Sequence, residues 1–340
     1  MTSHMQREVA EIPEATARFL RDSAADVEKA ALTLRNLDPS LVVTVARGSS
    51  DHAATYLKYA VELLAGIPVA SVGPSVASVY GRPLRLQGAA CLGISQSGRS
   101  PDIVEMMRAA GAGGAATVAI TNFADSPMAQ ASAHCLPLRA GTEQSVAATK
   151  TFVTSVLAGL ALLAAWQQDK ALTAALQDLP RAFEQALRLD WSPLSDRLSR
   201  AGQAYVLGRG PAFAIASEAA LKLKEVCGLH AEPFSAAEVL HGPAAIVQAH
   251  FPVFALGVQD AALPHVVATA ERLAGQGADV FLTGGSAKGA VTLPSVTDLH
   301  PLVAPLVASV SFYAFAEGLS RRRGFDPDTP PHLRKVTETV

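Results

Sequence analysis

The 340-residue chain carries 28 Lys and Arg against 30 Asp and Glu, with 49% hydrophobic and only 17% charged residues. A balance this close to neutral leaves no electrostatic footprint for nucleic acid or an anionic membrane surface, and the length accommodates two ordinary domains, each with its own core. The three cysteines, Cys91, Cys135 and Cys227, lack CxxC or Cys/His spacing, which points to free thiols in a reducing cytoplasm and away from a metal site.

The N-terminal MTSHMQREVAEIPE has acids and no apolar run, so it does not read as a signal peptide. Residues 1–35 read as helical, with Pro13 near a turn start and apolar residues at helical spacing over 15–34. LVVTVA (41–46) reads as a buried strand, followed by a loop at Arg47–Asp51 and a helix from about Ala53 to Leu64. Then come a strand at GIPVASV (66–72), a Pro-led helix near Val76–Tyr80, a strand at AACLGI (89–94), a loop at SQSGRSPD (95–102) and a helix over Ile103–Ala110. Strands at 115–121 and 133–138 follow, and GTEQSVAATK (141–150) leads into a long helix ending near Trp166. The apolar run Val153–Trp166 is shorter than the ~20 residues of a membrane span, so it reads as a buried helix. This alternation predicts parallel sheets covered on both faces.

The pattern then repeats. Val45-Ala46-Arg47-Gly48 is echoed by Leu207-Gly208-Arg209-Gly210, Gly66 by Gly228, and the strands at 91–94 and 117–121 by 253–256 and 279–283, all at one offset. A duplicated α/β domain is the expectation, with a helical segment at 1–35, a first domain at 36–170, a helical linker at 171–198, a second domain at 199–325 and an extended, Pro-rich tail at 326–340. The copies differ in their polar groups: Ser95-Gln96-Ser97-Gly98 answers to Gly257-Val258-Gln259-Asp260, and Glu225 to Leu63. One composite site per chain, or one shared between chains, is expected.

The chemistry concentrates in Ser217–Pro243. Glu218, Lys222 and Glu225 lie four and three apart on a helix that Gly228 ends. A loop rich in small residues, containing Glu232 and Glu238, then delivers His241 before Gly242-Pro243. Singly, these are a solvated helix face and a loop histidine; together they are the equipment of general acid–base catalysis. The loop Ser95-Gln96-Ser97-Gly98-Arg99-Ser100 follows a buried strand and opens onto a helix with Pro101 in its first turn. It reads either as a simple capped turn or as a phosphate cradle at a helix N-terminus. Gly48-Ser49-Ser50 is a second hydroxyl-rich loop after a strand, and Thr142-Glu143 with Ser145–Lys150 a third; three such loops suit a polyhydroxylated, phosphorylated ligand. Neither a GxxxxGKS/T nor a GxGxxG loop after the first strand is present.

Taken together, MQREVAEIPEA (5–15), ARGSSDHA (46–53), LAGIP (64–68), SQSGRSPD, AGTEQSVAATKTF (140–152), LGRG (207–210), EAALKLKEVCGLHAEPF (218–234), EVLHGP (238–243) and DPDTPPHLRKVT (326–337) resemble the SIS (sugar isomerase) family. More narrowly, they resemble the isomerase half of glutamine:fructose-6-phosphate aminotransferase. The resemblance implies two tandem SIS domains, each a parallel five-stranded doubly wound, flavodoxin-like sheet flanked by helices. It implies that Ser95, Gln96, Ser97 and Ser100 bind phosphate, and that Ser49, Ser50, Val146, Ala147 and Ala148 line the sugar site. Glu225 would carry the proton between C1 and C2, Lys222 would assist proton transfer to oxygen, and Glu143 would be a further acid near the amino group. His241 would assist ring opening from the neighbouring subunit of a homodimer, and Lys335 in the tail would contact the sugar and form an imine with an open-chain ketose.

Ala148 stands where the family has Ser, Arg99-Ser100 where it has Glu-Thr, Leu240 where it has Lys, and Pro331-His332 where it has Arg-Asn. Met1–Leu34 leads straight into the sugar domain and the first cysteine is Cys91, so hydrolysis of glutamine by the family's N-terminal cysteine is not expected of this chain. The expectation is therefore deamination of glucosamine 6-phosphate to fructose 6-phosphate and ammonia, in the cytoplasm. No cofactor or metal is expected, and the partner is a small sugar phosphate without nucleic acid or membrane. The alternatives are an ammonia-dependent or partner-fed aminotransferase, a deglycase of a fructosamine 6-phosphate, and a non-catalytic sugar-phosphate sensor.

Overall fold

The computed structural model describes residues 2–335. Val336 and Thr337 of the tail motif lie outside the described residues. The N-terminal region forms helices α1 (His4–Ala10), α2 (Ile12–Asp22) and α3 (Ala24–Leu37). There follow β1 (Val42–Val45), α4 (Ser49–Ala65), β2 (Val69–Ser71), α5 (Ser75–Ser78), β3 (Ala90–Ile94), α6 (Pro101–Ala112), β4 (Ala116–Thr121), α7 (Pro127–Gln130) and β5 (His134–Pro137). Helices α8 (Lys150–Gln167), α9 (Lys170–Gln177), α10 (Leu179–Ala186) and α11 (Ser192–Leu198) lead to β6 (Gln203–Gly208), α12 (Pro211–Cys227) and β7 (His230–Ser235). After two 3-10 turns come β8 (Pro252–Ala255), α13 (Leu263–Gly275), β9 (Asp279–Leu282), β10 (Ala290–Thr292) and α14 (Ala304–Arg322). Two compact units result. Of the described residues, one comprises 14–143, 150–177 and 334–335, the other 2–13, 144–149 and 178–333.

In the first unit the strands are all parallel, in the order β2-β1-β3-β4-β5. Strands β1 and β3 are buried along their whole length, because alternate side chains serve opposite faces. Val43, Val45 and Cys91 meet Ile103, Met106 and Met107 of α6. Val42 and Leu92 turn the other way, toward Leu34, Leu57 and Leu163 of α3, α4 and α8. Gly159 lets α8 approach α4 closely, since a Cβ there would lie 2.2 Å from a Leu57 methyl. Helix α8 is long and apolar enough to cross a membrane by length and composition, yet most of it is buried inside this unit.

The second unit repeats the topology, with parallel order β10-β9-β8-β6-β7. Leu207, Val253, Val280 and Leu282 pack on Val266, Ala270 and Leu273 of α13. On the opposite face Phe254 lies edge-on to Trp191 at 5.3 Å and stacks on Phe312 of α14 at 6.3 Å. Helices α4 and α12 are both 17 residues long, each between two positive-φ glycines, Gly48 and Gly66 in one and Gly210 and Gly228 in the other. Subtracting within each matched pair gives one offset, 210 − 48 = 162 and 228 − 66 = 162. The register lapses after β4 and β9.

Two elements differ from the sequence reading. Helix α4 starts at Ser49, not near Ala53, because Gly48 (φ 54°, ψ −134°) turns the chain from strand to helix within one residue. Ser49 and Ser50 are therefore first-turn helix residues and not a loop. The segment after Gly228, read as a loop, contains β7. Pro233 and the glutamate Glu232 masked it, but β7 is an edge strand, where proline is tolerated. The amide of Ala236 donates to Gly208 O, so by alternation the nitrogen of Pro233 faces away from the sheet.

Candidate active site

In an open parallel sheet of this order, ligands bind beyond the carboxyl ends of the strands where the winding reverses. In the first unit that point lies between β1 and β3, the strands followed by Gly48–Ser50 and by Ser95–Ser100. The second loop is internally braced: the Gly98 amide donates to Ser95 Oγ at 3.2 Å and the Arg99 amide to Ser97 Oγ at 3.3 Å. It is also held from behind. Gln96 O accepts the Asn122 amide at 3.1 Å and the Thr121 hydroxyl at 3.3 Å, and Gly98 O accepts the Met128 amide at 3.0 Å. Ser100 is the N-cap residue of α6 but makes no side-chain capping bond, and Pro101 fills the first helical position. The loop thus presents hydroxyls and the positive end of a twelve-residue helix, as an anion site requires.

A charge pair adjoins this loop. Arg47, two residues beyond β1, donates from Nε and Nη2 to Asp102 Oδ2 at 3.0 and 2.9 Å. Asp102 is fully buried in the first turn of α6. The guanidinium neutralises a carboxylate that would otherwise repel an anion there. The two residues lie 55 apart, so helix spacing gives no sign of the pair. Asp51, in the first turn of α4, has its carboxyl raised by burial.

The same unit brings Glu143 and Lys335 together. Glu143 is buried; it accepts the Thr151 amide at 3.1 Å and the Thr151 hydroxyl at 2.7 Å, and so caps α8. Lys335 Nζ reaches the same carboxylate at 2.9 Å. Lys150, also buried, donates to Thr142 O at 2.6 Å.

In the second unit, α12 carries the charged set Glu218, Lys222 and Glu225. Lys222 is only 1% exposed and pairs with Glu225, whose side chain is 21% exposed, and with Glu218 at 3.5 Å. Glu218 is itself buried and accepts the Tyr313 hydroxyl from α14 at 3.0 Å. One ammonium between two carboxylates is a solvable burial problem, because each charge keeps a partner. Glu225 is the member that retains access to solvent. The role of Tyr313 escapes sequence reading because α14 is 95 residues from Glu218. His241 follows the 3-10 turn Glu238–Leu240; it is exposed, and its side chain forms no hydrogen bond with another described residue. Gly242 (φ 138°) and the bond from Tyr205 Oη to Pro243 O at 3.0 Å shape the turn that presents it. Also in this unit, Ala147 is buried and Val146 and Ala148 are half-buried in an irregular loop.

Burial pushes the thiols of Cys91 and Cys227 up to about 12 and that of Cys135 up to about 11, which keeps them as thiols and unsuited to nucleophilic work. Among the described residues no cluster of three His, Cys, Asp or Glu could hold a metal.

Residues 38–165 and 197–289 match the SIS domain model. Glutamine–fructose-6-phosphate aminotransferase (isomerizing) from Zymomonas mobilis is 32% identical over 356 residues, covering 97% of this chain and 58% of that protein. The chain thus spans just under three-fifths of the length of that relative. A solved structure from Silicibacter pomeroyi DSS-3, provisionally named a phosphosugar isomerase, is 53% identical with a TM-score of 0.93, covering 96% of this chain and 100% of that one. The C-terminal domain of glucosamine-fructose-6-phosphate aminotransferase from Francisella tularensis is 27% identical with a TM-score of 0.87, covering 97% and 98%. The chain belongs to the SIS domain family and is homologous to the C-terminal, isomerase domain of glutamine–fructose-6-phosphate aminotransferase.

Proposed function

We propose that the protein is an aldose–ketose isomerase of amino-sugar phosphates that converts glucosamine 6-phosphate and water to fructose 6-phosphate and ammonia. The observation that carries this reading is the Glu218–Lys222–Glu225 set on α12, a carboxylate with solvent access backed by a buried ammonium. The named activities of the homologous isomerase domain and of the Silicibacter protein support the substrate class.

In this reading Ser95, Gln96, Ser97 and Ser100 hold the phosphate, and Ser49, Ser50, Val146, Ala147 and Ala148 line the sugar. His241, from the second subunit of a dimer, helps open the ring. Glu225 takes the proton from C2 of the open-chain aldehyde, and the electron pair moves through C1 onto oxygen to give an enolamine. Lys222 supplies the proton to that oxygen. Glu225 returns its proton to C1, leaving an imine at C2. Water adds to this imine, the C–N bond breaks, and ammonia departs, so the C2 oxygen of the product comes from water. In this reading Lys335 exchanges with ammonia to form an enzyme-bound imine at C2, and Glu143, which pairs with it, holds it or protonates the departing nitrogen. The same steps in reverse are amination of fructose 6-phosphate.

The test is release of ammonia and fructose 6-phosphate from glucosamine 6-phosphate by wild-type protein and Glu225→Gln. The expected result is equal release by wild type. For the variant a fall of at least 100-fold in turnover is expected, the scale of general acid–base catalysis, with sugar-phosphate affinity kept within a few-fold. Glu218 still neutralises Lys222 in this variant, so folding is retained. A variant as active as wild type sinks the assignment. Ala148 offers no hydroxyl to the sugar, which favours a second reading, deglycation of fructosamine 6-phosphates. Turnover of those compounds but not of glucosamine 6-phosphate would replace the first reading with this one.

A further inference from the structure

The loop 144–149 is made of small and polar residues without regular structure, and such a segment has little shape of its own. A carboxylate from the N-terminal helix supplies that shape. Glu8 of α1 is 4% exposed. It accepts the backbone amide of Gln144, and both of its oxygens accept the amide of Ser145 at 3.3 Å. Two consecutive peptide planes are thereby fixed immediately before Val146, by charge-assisted bonds stronger than neutral ones.

At seven residues, α1 is too short to persist alone. It is anchored at its start instead. The carboxylate of Asp328 accepts the amides of His4 and Met5 at 2.7 and 2.8 Å, and Ser3 Oγ donates to Glu317 of α14 at 2.7 Å. Asp328 sits in a turn in which Asp326 accepts the Asp328 amide at 3.0 Å and the Thr329 hydroxyl at 2.8 Å. Met5 and Val9 are buried. The connected path runs from the Asp326–Thr329 turn through α1 to Glu8 and on to the 144–145 backbone.

We infer that Glu8 is a positioning residue for the sugar-recognising loop, and that Asp328 acts with it by fixing the helix that carries it. The inference rests on the proposed role of Val146–Ala148. Its mark is selectivity: the sugar part of the ligand loses affinity while the phosphate part does not.

The test is titration calorimetry of the full chain with fructose 6-phosphate and, separately, with inorganic phosphate. Glu8→Ala is expected to bind fructose 6-phosphate about tenfold or more weakly, as for a lost hydrogen-bonded charge, and inorganic phosphate as wild type does. Glu8→Gln keeps the volume and one acceptor oxygen and is expected to recover part of the loss. Asp328→Ala is expected to weaken fructose 6-phosphate in the same direction by less. Unchanged fructose 6-phosphate binding by Glu8→Ala, or equal loss of both ligands, overturns the inference and leaves the proposed function standing. If Glu8→Ala does not fold, Glu8→Gln and Asp328→Ala decide it, and wild-type affinity in both overturns it. A wild-type protein that binds inorganic phosphate but not fructose 6-phosphate overturns the proposed function and this inference together.

Discussion

Gly98 shows how much of the candidate site depends on one missing methyl group. Its φ of 61° is a backbone conformation that side chains rarely adopt, and a Cβ there would stand 2.3 Å from Ser126 Oγ and 2.8 Å from Thr121 Oγ1. Both effects push the Ser95–Ser100 loop off the segment that braces it. Gly98→Ala is expected to weaken inorganic phosphate binding by about tenfold or more; about 1.4 kcal/mol of distortion suffices for that. The comparison is calorimetry against Ser126→Ala, which removes a neighbour without adding bulk, and equal affinity in Gly98→Ala and wild type would count against the phosphate assignment. The loop itself was legible in the sequence, because Ser, Gly and Pro punctuate it after an apolar run. Its supports were not. Thr121, Ser126 and Arg47 are ordinary residues whose significance is tertiary, and spacing cannot disclose a partner 25 or 55 residues away.

At the scale of elements, α12 was the most legible part of the chain. Spacing put Glu218, Lys222 and Glu225 on one face, and the helix bears them so. What spacing could not show is the depth of burial. Lys222 and Glu218 are each 1% exposed, whereas a spacing rule expects a wet surface pair. Tyr313 is part of the arrangement, since its hydroxyl serves a carboxylate with little water around it. Tyr313→Phe is therefore expected to destabilise the fold by about 1–3 kcal/mol, the cost of a buried polar group that loses a bond. Chemical denaturation checks it, and an unchanged midpoint would mean that Glu218 finds another donor. The start of α4 and the strand β7 were misread at one glycine and one proline: Gly48 takes a positive φ that spacing does not disclose, and Pro233 is tolerated because β7 is an edge strand, which only the sheet order reveals.

The two units share one sheet topology and differ in their polar groups. The first has the hydroxyl-rich loop after β3, and the second has the charged helix α12. Duplication was visible because the glycine brackets of α4 and α12 fall at one offset, and those positions tolerate little else. The proposed sharing of the site between two subunits requires His241 at the surface of its own subunit, and the side chain is exposed. Mixing inactive His241→Ala with inactive Glu225→Gln is then expected to restore about a quarter of wild-type activity by random pairing of two-site dimers, as heterodimers carrying one intact site form. Subunit exchange confirmed by mass, with no activity regained, would place His241 in the same chain as the Glu225 it serves.

Pro233 has a bearing on what the edge of the second sheet can recruit. An exposed strand offers its free amides and carbonyls to any other strand, and continuous sheets across subunits arise in this way. On the outer side of β7 one link in that row is missing, because Pro233 turns a nitrogen without hydrogen outward. The edge is blunted against recruitment of a further strand, from a second copy or from an unfolded chain. Any molecule that meets this edge finds one backbone link fewer at Pro233, so side chains, whose identity selects the partner, carry a larger share of the contact.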